Sequence, residues 1–326
     1  QIDHLICLKF PAYLVEHPRK SVWLLHQHRS AYDLYGGPYG WPRGHPETDS
    51  LRQAIIAADN ESLGQVPVYT IAERVSQRLS QYNGIQSKAL YHPPANAEQF
   101  HCQDALPYIF APSRIEALKR QELLLRALAL TNRQVQVIFA GTGSRLKQAK
   151  SLASELGLED RVRFLGEISR EEMIALYAHA LAVFFGPLDE DYGYVTLEAM
   201  LARKPVITCS DSGGPLEFVL HDHTGVIAAP QPETIALALD EIGGALGLAV
   251  AVEIAQRGRK TDHREFANSS CGHDLAQARV AVLHDFDEIG HNEQVDRLAL
   301  VIGRRHLVEE ARADDAAGAP DLGDGG

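Results

Sequence analysis

Strand-like and helix-like patterns alternate regularly through residues 108–240 of this 326-residue chain. Each short apolar run is followed by a longer segment whose apolar residues have helical spacing. The predicted strands are 108–112, 135–140, 161–165, 181–185, 205–209 and 226–229, and the predicted helices are 119–130, 143–156, 170–179, 194–202, 214–220 and 232–240. This alternation predicts an α/β fold with helices on both faces of a parallel sheet. Ligands of such sheets bind at the carboxyl ends of the strands.

The patterns divide the chain into three parts. Residues 105–245 hold the regular alternation, and residues 1–104 carry a partial form of it. The prolines that follow His92 favour an extended crossover between these parts, so we expect the boundary near Ala105. Residues 246–326 form an atypical segment that lacks clear periodicity and ends in a tail rich in Ala, Asp and Gly, typical of disorder.

Composition restricts the classes of function. A net charge of -12 argues against sequence-independent binding to nucleic acid, which needs an electropositive surface. The four cysteines are scattered and include no Cys-x-x-Cys pair, so neither a zinc knuckle nor a disulfide framework is indicated. No uncharged apolar run reaches membrane-spanning length. We expect a cytoplasmic protein, and peripheral contact with a membrane stays open.

Glu190 and Glu198 flank a glycine at a predicted strand-to-helix junction. The helical pattern after Val195 is apolar nearly all round, so Glu198 cannot lie on a solvated face as a surface glutamate would. A sheltered carboxylate needs hydrogen-bond donors, and the hydroxyls of a bound ribose would supply them. The amides of Gly193, Tyr194 and Val195 at the start of this helix are free to face a phosphate or sugar oxygen.

Basic side chains lie between the strand 108–112 and the following helix. Arg114, Lys119 and Arg120 oppose the helix macrodipole there, which indicates an anion bound in front of them. Such cations can offset the charge of a bound phosphate group without a metal. The alternative is a solvated basic turn that Glu116 and Glu122 partly neutralise.

The Glu-x7-Glu spacing with its internal glycine and closing Glu-Ala-Met resembles the signature of retaining GT-B glycosyltransferases of the group 1, family 4 type. The likeness extends to Lys204-Pro-Val-Ile-Thr208, Gly213-Gly-Pro-Leu-Glu217 and Gly225-Val-Ile-Ala-Ala-Pro230, within residues 108–239. It implies two Rossmann-like domains with parallel sheets, the N-terminal one incomplete. The family's glycine-rich loop after its first strand is not found, so we expect a chain truncated at its N-terminus.

The resemblance also implies a reaction and its participants. A hexose would pass from a nucleotide-diphosphate sugar to a sugar, lipid-linked or other hydroxyl acceptor, with retention at the anomeric carbon, as in glycan biosynthesis. It implies no cofactor and no metal. Arg114 and Lys119 would hold the leaving diphosphate, Glu190 would lie beside the transferred sugar, and Glu198 would bind the ribose. For Glu190, the alternative is an acid in an exposed charged loop.

Further donor contacts are implied at the other strand ends. Gly166 and Ile168 lie where the family packs its nucleotide base against backbone. Possible donor-loop glycines, for which a plain tight turn is the alternative, are Gly141, Gly143, Gly213 and Gly214.

A histidine ends a strand in the N-terminal part. His26 follows Val22-Trp-Leu-Leu, where the family places a histidine that faces the donor sugar. His28 lies on the same side if the strand continues, which also permits a metal site, although no third ligand stands at a suitable spacing. A purely structural histidine pair is the other reading.

Two other classes of function stay open. One is a catalytically impaired protein that binds nucleotide sugar without efficient transfer. The other is an NAD-dependent oxidoreductase that would use Gly141-Thr-Gly143 for pyrophosphate and Glu167 for ribose, but this needs a small residue where Leu146 stands.

Overall fold

The computed structural model describes residues 2–242 and 280–283. These residues form two compact units, each built on its own parallel sheet. The first unit contains residues 2–70, 76–89 and 280–283, and the second contains 71–75 and 90–242. Throughout this described part, every helix is too short or too polar to span a bilayer.

The first unit carries a five-stranded parallel sheet. Its strands are β1 (His4–Lys9), β2 (Lys20–His26), β3 (Val68–Thr70), β4 (Lys88–Ala89) and β11 (Val280–Leu283), in the order β11-β1-β2-β3-β4. The helices along this part of the chain are α1 (Pro46–Leu63) and α2 (Glu73–Asn83). In β2, Val22 and Leu24 are buried while their neighbours are less so, the period of two that a strand requires.

Strand β11 is a finding that the sequence did not predict. It lies inside residues 246–326, whose sequence shows no clear periodicity, and pairs with β1 so that His4 is opposite Val280 and Cys7 is opposite Leu283. The predicted disordered tail and the rest of that segment lie outside the described residues.

The second unit carries a six-stranded parallel sheet, which we call the second sheet. Its strands are β5 (Tyr108–Pro112), β6 (Gln136–Ala140), β7 (Val162–Phe164), β8 (Ala182–Phe184), β9 (Val206–Cys209) and β10 (Gly225–Ala228), in the order β10-β9-β8-β5-β6-β7. Its helices are α3 (Gln121–Leu130), α4 (Leu146–Glu155), α5 (Arg170–His179), α6 (Tyr194–Leu201) and α7 (Pro232–Ile242).

Both faces of the second sheet are covered, which explains the continuous apolar strands. In β5, Ile109 and Ala111 join one buried cluster with residues of α3, α4 and α7. Tyr108 and Phe110 alternate with them and join a second cluster with residues of α5 and α6. A central parallel strand is therefore buried on both sides, and all five residues of β5 are buried.

One predicted helix is wrong. Residues 214–220 were expected to be helical, but only a short 3-10 helix, Gly214–Glu217, forms. The chain then turns, because the amide of Leu220 donates to Thr224 Oγ1 at 2.8 Å and the amide of His223 donates to the Leu220 carbonyl at 3.0 Å. These turn bonds replace the helical pattern.

The division between the units also differs from the expected position near Ala105. The crossover from Leu90 onward packs with the second unit. The amide of Gln103 donates to the Ala178 carbonyl at 2.9 Å, and the amide of Leu106 donates to the His179 carbonyl at 2.8 Å. Bonds between distant segments such as these cannot be deduced from the proline-rich sequence.

Candidate active site

Lys119 and Glu190 meet at the carboxyl edge of the second sheet. Lys119 lies in a 3-10 turn after β5, and Glu190 lies in the loop after β8, the strand next to β5. The Lys119 ammonium donates to Glu190 Oε2, and the two side chains are 15% and 22% exposed. Lys119 Nζ also lies 5.4 Å from the centre of the Phe185 ring. The structure thus brings together two predicted site residues that are far apart in sequence.

The loop that carries Glu190 is held by backbone bonds to the segment after β9. The amide of Glu190 donates to the Ser212 carbonyl at 2.8 Å, and its carbonyl accepts from the Gly214 amide at 2.7 Å. Gly213 has a φ of 74°, and a Cβ there would lie 2.5 Å from the Glu190 carbonyl oxygen. A Cβ on Gly214 would lie 2.6 Å from the Asp191 carbonyl oxygen. Both glycines therefore allow this loop to approach closely.

Arg120 supports the same loop. The sequence predicted that Arg120 binds an anion, and the structure corrects this expectation. Its Nε and Nη2 donate to the carbonyls of Gly186 and Pro187 at 2.8 and 2.7 Å. Two further bonds, of 2.8 and 2.6 Å, join the guanidinium to both oxygens of Asp211. Four of its five N–H donors are thus used within the protein, so Arg120 has little capacity left for a phosphate.

Helix α6 begins at Tyr194, and its N-cap residue, Gly193, supplies no side-chain cap. Gly193 has a φ of 86°, and a Cβ there would lie 2.9 Å from Pro215 Cγ, so a larger residue would strain the turn and crowd its neighbour. Within residues 2–242 and 280–283, the amides of Gly193, Tyr194 and Val195 donate to no protein group. Unpaired amides at a helix start form an anion-binding surface.

Glu198 is sheltered, as its sequence context predicted. Its side chain is 12% exposed and forms a 3.1 Å ion pair with Arg170 Nη1. The Tyr177 hydroxyl donates to the other carboxylate oxygen at 2.8 Å. Burial and the neighbouring Glu198 raise the pKa of Tyr177 well above its ordinary value, so the phenol remains a donor. The sequence predicted ribose hydroxyls as the partners; the protein itself supplies these two donors.

Arg114 is exposed at the end of β5, on a loop fixed by a 2.9 Å bond from Gln121 Nε2 to its carbonyl. The two acids expected to neutralise this turn have other partners. Glu116 accepts from the Ser144 amide and hydroxyl, which lower its pKa, and Arg114 contributes only a smaller electrostatic effect. Glu122 pairs with Arg145 at 2.9 Å. In the described part of the chain, no ion pair joins the Arg114 guanidinium to an acid.

The glycine loops after β6 and β7 contact each other. The Gly141 amide donates to the Gly166 carbonyl at 2.7 Å. A Cβ on Gly141 would lie 2.2 Å from the Ser113 carbonyl oxygen, and one on Gly143 would lie 2.2 Å from that of Ile115. These two glycines therefore serve tight backbone packing. Ile168 is partly buried and lines a concavity of about 750 Å³ between α5 and the strands β5, β6 and β7.

His26 and His28 belong to the first unit. His26 Nδ1 bonds to the Gln27 carbonyl at 2.7 Å. The His28 ring lies between Phe10 and Trp41, with centroids 5.6 and 5.0 Å away. Among the described residues, no group of three or more His, Cys, Asp or Glu side chains could hold a metal ion. The aromatic packing of His28 favours the structural reading for that residue.

A family comparison accounts for this arrangement. Residues 95–243 match the family described as glycosyl transferases group 1. This domain belongs to the group 1 glycosyltransferases. The matched span contains every predicted site residue of the second unit, and the resemblance drawn from the Glu-x7-Glu motif is confirmed.

Curated relatives of this glycosyltransferase domain match part of their own length. A D-inositol 3-phosphate glycosyltransferase from Mycolicibacterium smegmatis is 35% identical in an alignment of 244 positions that covers 64% of this chain and 56% of the relative. The alpha-1,3/1,6-mannosyltransferase ALG2 of Mus musculus is 31% identical in an alignment of 167 positions that covers 44% of this chain and 40% of the relative. The chain therefore spans about half the length, or less, of these two proteins.

Solved structures confirm the fold. The Anabaena protein Alr3699/HepE in complex with UDP and glucose has a TM-score of 0.62 at 20% identity, over 78% of this chain and 72% of that chain. The predicted GT-B fold with parallel, Rossmann-like sheets is therefore correct.

Sequence reasoning missed one cation near the candidate site. Arg74, in the first turn of α2, binds both oxygens of Asp189 at 2.5 and 2.8 Å, immediately before Glu190. The amides of Glu73 and Arg74 donate to Glu217 at 3.1 and 2.7 Å, so this acid caps the helix start. Asp189 has a positive φ of 46°, which is unusual for a residue other than glycine, and the sequence does not reveal that angle.

Proposed function

We propose that this protein transfers a hexose from a nucleotide-diphosphate sugar to a hydroxyl acceptor, with retention at the anomeric carbon. Membership of the group 1 glycosyltransferases supports the transfer reaction. The observation that carries the site assignment is the sheltered pair of Lys119 and Glu190 beside the uncapped start of α6.

The leaving diphosphate would bind where positive charge converges. Its phosphates carry about two negative charges, and the amides at a helix start contribute about half a positive charge. Lys119 has three N–H donors, so it can keep its bond to Glu190 and still donate to a phosphate oxygen. The exposed Arg114, which follows the same strand β5 as Lys119, adds a second full charge.

These groups would favour the transition state over the bound donor. Negative charge grows on the diphosphate as the anomeric C–O bond breaks, so Lys119 and Arg114 bind it more strongly at that stage. The transition state of glycosyl transfer also has positive character at the anomeric carbon. The Glu190 carboxylate, next to Lys119, would stabilise that charge, and an oxygen of the departing phosphate would take the proton of the acceptor hydroxyl.

The reaction would need no metal or other cofactor. Lys119, Arg114 and the amides of α6 would supply the positive charge that a divalent cation otherwise supplies to offset the diphosphate. Full turnover in the presence of excess EDTA is the expected result, and loss of turnover that magnesium restores would overturn this part of the proposal.

The acceptor would be a sugar, a lipid-linked sugar or another hydroxyl compound, used in the cytoplasm. With a lipid-linked acceptor the protein would work at a membrane surface. The net charge of -12 argues against nucleic acid as a partner. It is compatible with small anionic ligands whose charge is neutralised by nearby cations.

The test combines binding and turnover. Isothermal titration with UDP, GDP and ADP identifies the nucleotide, and a donor-consumption assay with the corresponding sugar nucleotides measures transfer or hydrolysis. We expect binding and turnover, with a product whose anomeric coupling in proton NMR matches the donor. Binding without turnover would indicate a nucleotide-sugar-binding protein, and binding of NAD(H) instead of these ligands would indicate the oxidoreductase.

A further inference from the structure

Helix α5 presents two donors to the same carboxylate. Arg170, its first residue, and Tyr177, seven residues later, lie on one face of the helix, as residues two turns apart do. Arg170 Nη1 donates to Glu198 Oε1 at 3.1 Å, and the Tyr177 hydroxyl donates to Glu198 Oε2 at 2.8 Å. Each oxygen of Glu198 therefore has one protein donor.

The remaining capacity of Glu198 matches a diol. An ionised carboxylate offers about four lone-pair positions, two on each oxygen. Arg170 and Tyr177 use one on each oxygen, which leaves one on each for two neighbouring hydroxyl donors. The side chain keeps 12% exposure, so it remains accessible from one side.

Both donors are themselves fixed. Arg170 Nη2 donates to the Ala95 carbonyl at 2.6 Å, and the Arg170 guanidinium lies 4.9 Å from the centre of the Phe100 ring. Tyr177 is fully buried, with ring centroids 5.6 Å from Phe100 and 5.0 Å from Phe110. Side chains held this firmly orient the carboxylate before a ligand arrives, which reduces the entropy lost on binding.

We propose that Arg170 and Tyr177 are positioning residues that orient Glu198 to recognise the 2′,3′-diol of the donor ribose. This inference rests on the proposed function. The two residues act through Glu198, and discrimination between ribose and deoxyribose is their specific signature.

The experiment compares nucleotides that differ only at the diol. Isothermal titration measures the affinities of the wild type for UDP, GDP and ADP and for their 2′-deoxy and 3′-deoxy counterparts. A charge-assisted hydrogen bond that a ribose hydroxyl donates to Glu198 predicts that the preferred ribonucleotide binds about 10-fold tighter, or more, than its deoxy forms.

The variants then test the two donors. Tyr177→Phe keeps the buried ring and removes only the hydroxyl, and Arg170→Gln removes the charge of a partly exposed side chain. Each should lower the ribose preference about threefold or more, with Arg170→Lys retaining part of it. Tyr108→Phe is the matched control, because its hydroxyl donates to α5 at the Leu176 carbonyl, 2.7 Å away, and not to Glu198. This control should leave the preference unchanged.

The outcomes separate the two proposals. If the wild type binds no nucleoside diphosphate, the proposed function fails and this inference falls with it. If the wild type binds one but ignores the diol, or if Tyr177→Phe and Arg170→Gln weaken ribonucleotides and deoxyribonucleotides equally, only this inference is overturned, because equal weakening is what a purely structural role produces.

Discussion

Replacement of Lys119 by alanine perturbs the site most directly. The change removes the ammonium that pairs with Glu190 and leaves the backbone turn after β5 in place. The positive charge next to the diphosphate would fall by one, and Glu190 would face that diphosphate without its cation.

The size of the effect follows from the position of the ammonium. Removing one preorganised donor to developing negative charge costs about 10²–10³ in kcat. Lys119 is 15% exposed and shares its charge with Glu190, so water and Arg114 compensate in part. We therefore expect a loss near the lower limit, about 100-fold in kcat.

Stability should change much less than activity. Glu190 is 22% exposed, so water can solvate its carboxylate once the lysine is gone. A partly exposed ion pair contributes about 1 kcal/mol or less, which corresponds to a fall of a few degrees at most in the melting temperature.

The assay compares Lys119→Ala with Lys147→Ala, which removes an exposed lysine from α4 in the same unit. Initial rates are measured at saturating sugar nucleotide, with melting curves recorded for both variants. Lys147→Ala should resemble the wild type. A Lys119→Ala protein that retains more than about one third of the wild-type turnover would refute the placement of Lys119 at the reaction centre.

Three other changes have expected outcomes. Gly193→Ala should lower the melting temperature and weaken donor binding, because its φ of 86° and the 2.9 Å approach to Pro215 Cγ strain any side chain, at a cost of about 1–3 kcal/mol; unchanged melting would contradict the strained turn. Arg74→Met should reduce turnover several-fold, because Asp189 loses its bidentate partner and the loop bearing Glu190 loosens, and full activity in the same assay would oppose this. Burial lowers the pKa of His92 below its ordinary 6.5, so the unfolded state binds the proton more readily and stability should fall as the pH drops below about 6.5. Denaturant titrations from pH 8 to 5 should show a weaker pH dependence in His92→Gln, and identical curves for both proteins would contradict this role of His92.

Most of the fold of the second unit could be predicted from local sequence patterns. Its strands are continuous apolar runs, such as 108–112, and its helices have helical spacing, so both depend on neighbours in the chain. Local patterns predicted a helix over residues 214–220, where the structure has only the 3-10 helix Gly214–Glu217. The difference arises because the Leu220 amide donates to Thr224 Oγ1 and the chain turns. Strand β11 was not predicted because it pairs with β1, which lies far from it in the sequence.

The candidate site divides in the same way. Glu190, Gly193 and Glu198 were found because a short motif holds all three within one loop and helix. The pair of Arg74 and Asp189 was missed because its members are separated by 115 residues and meet only in the folded unit. Arg120 was grouped with Lys119 as an anion ligand because the two residues are adjacent in the sequence. Adjacency does not show that the Arg120 side chain pairs with Asp211.

The most direct measurement is a crystal structure of this protein with the nucleoside diphosphate that it binds most tightly. The account predicts phosphate oxygens within hydrogen-bond distance of Lys119 Nζ and of the amides of Gly193, Tyr194 or Val195, with the Arg114 guanidinium beside them. A diphosphate bound elsewhere, with Lys119 still paired only to Glu190, would contradict the central claim.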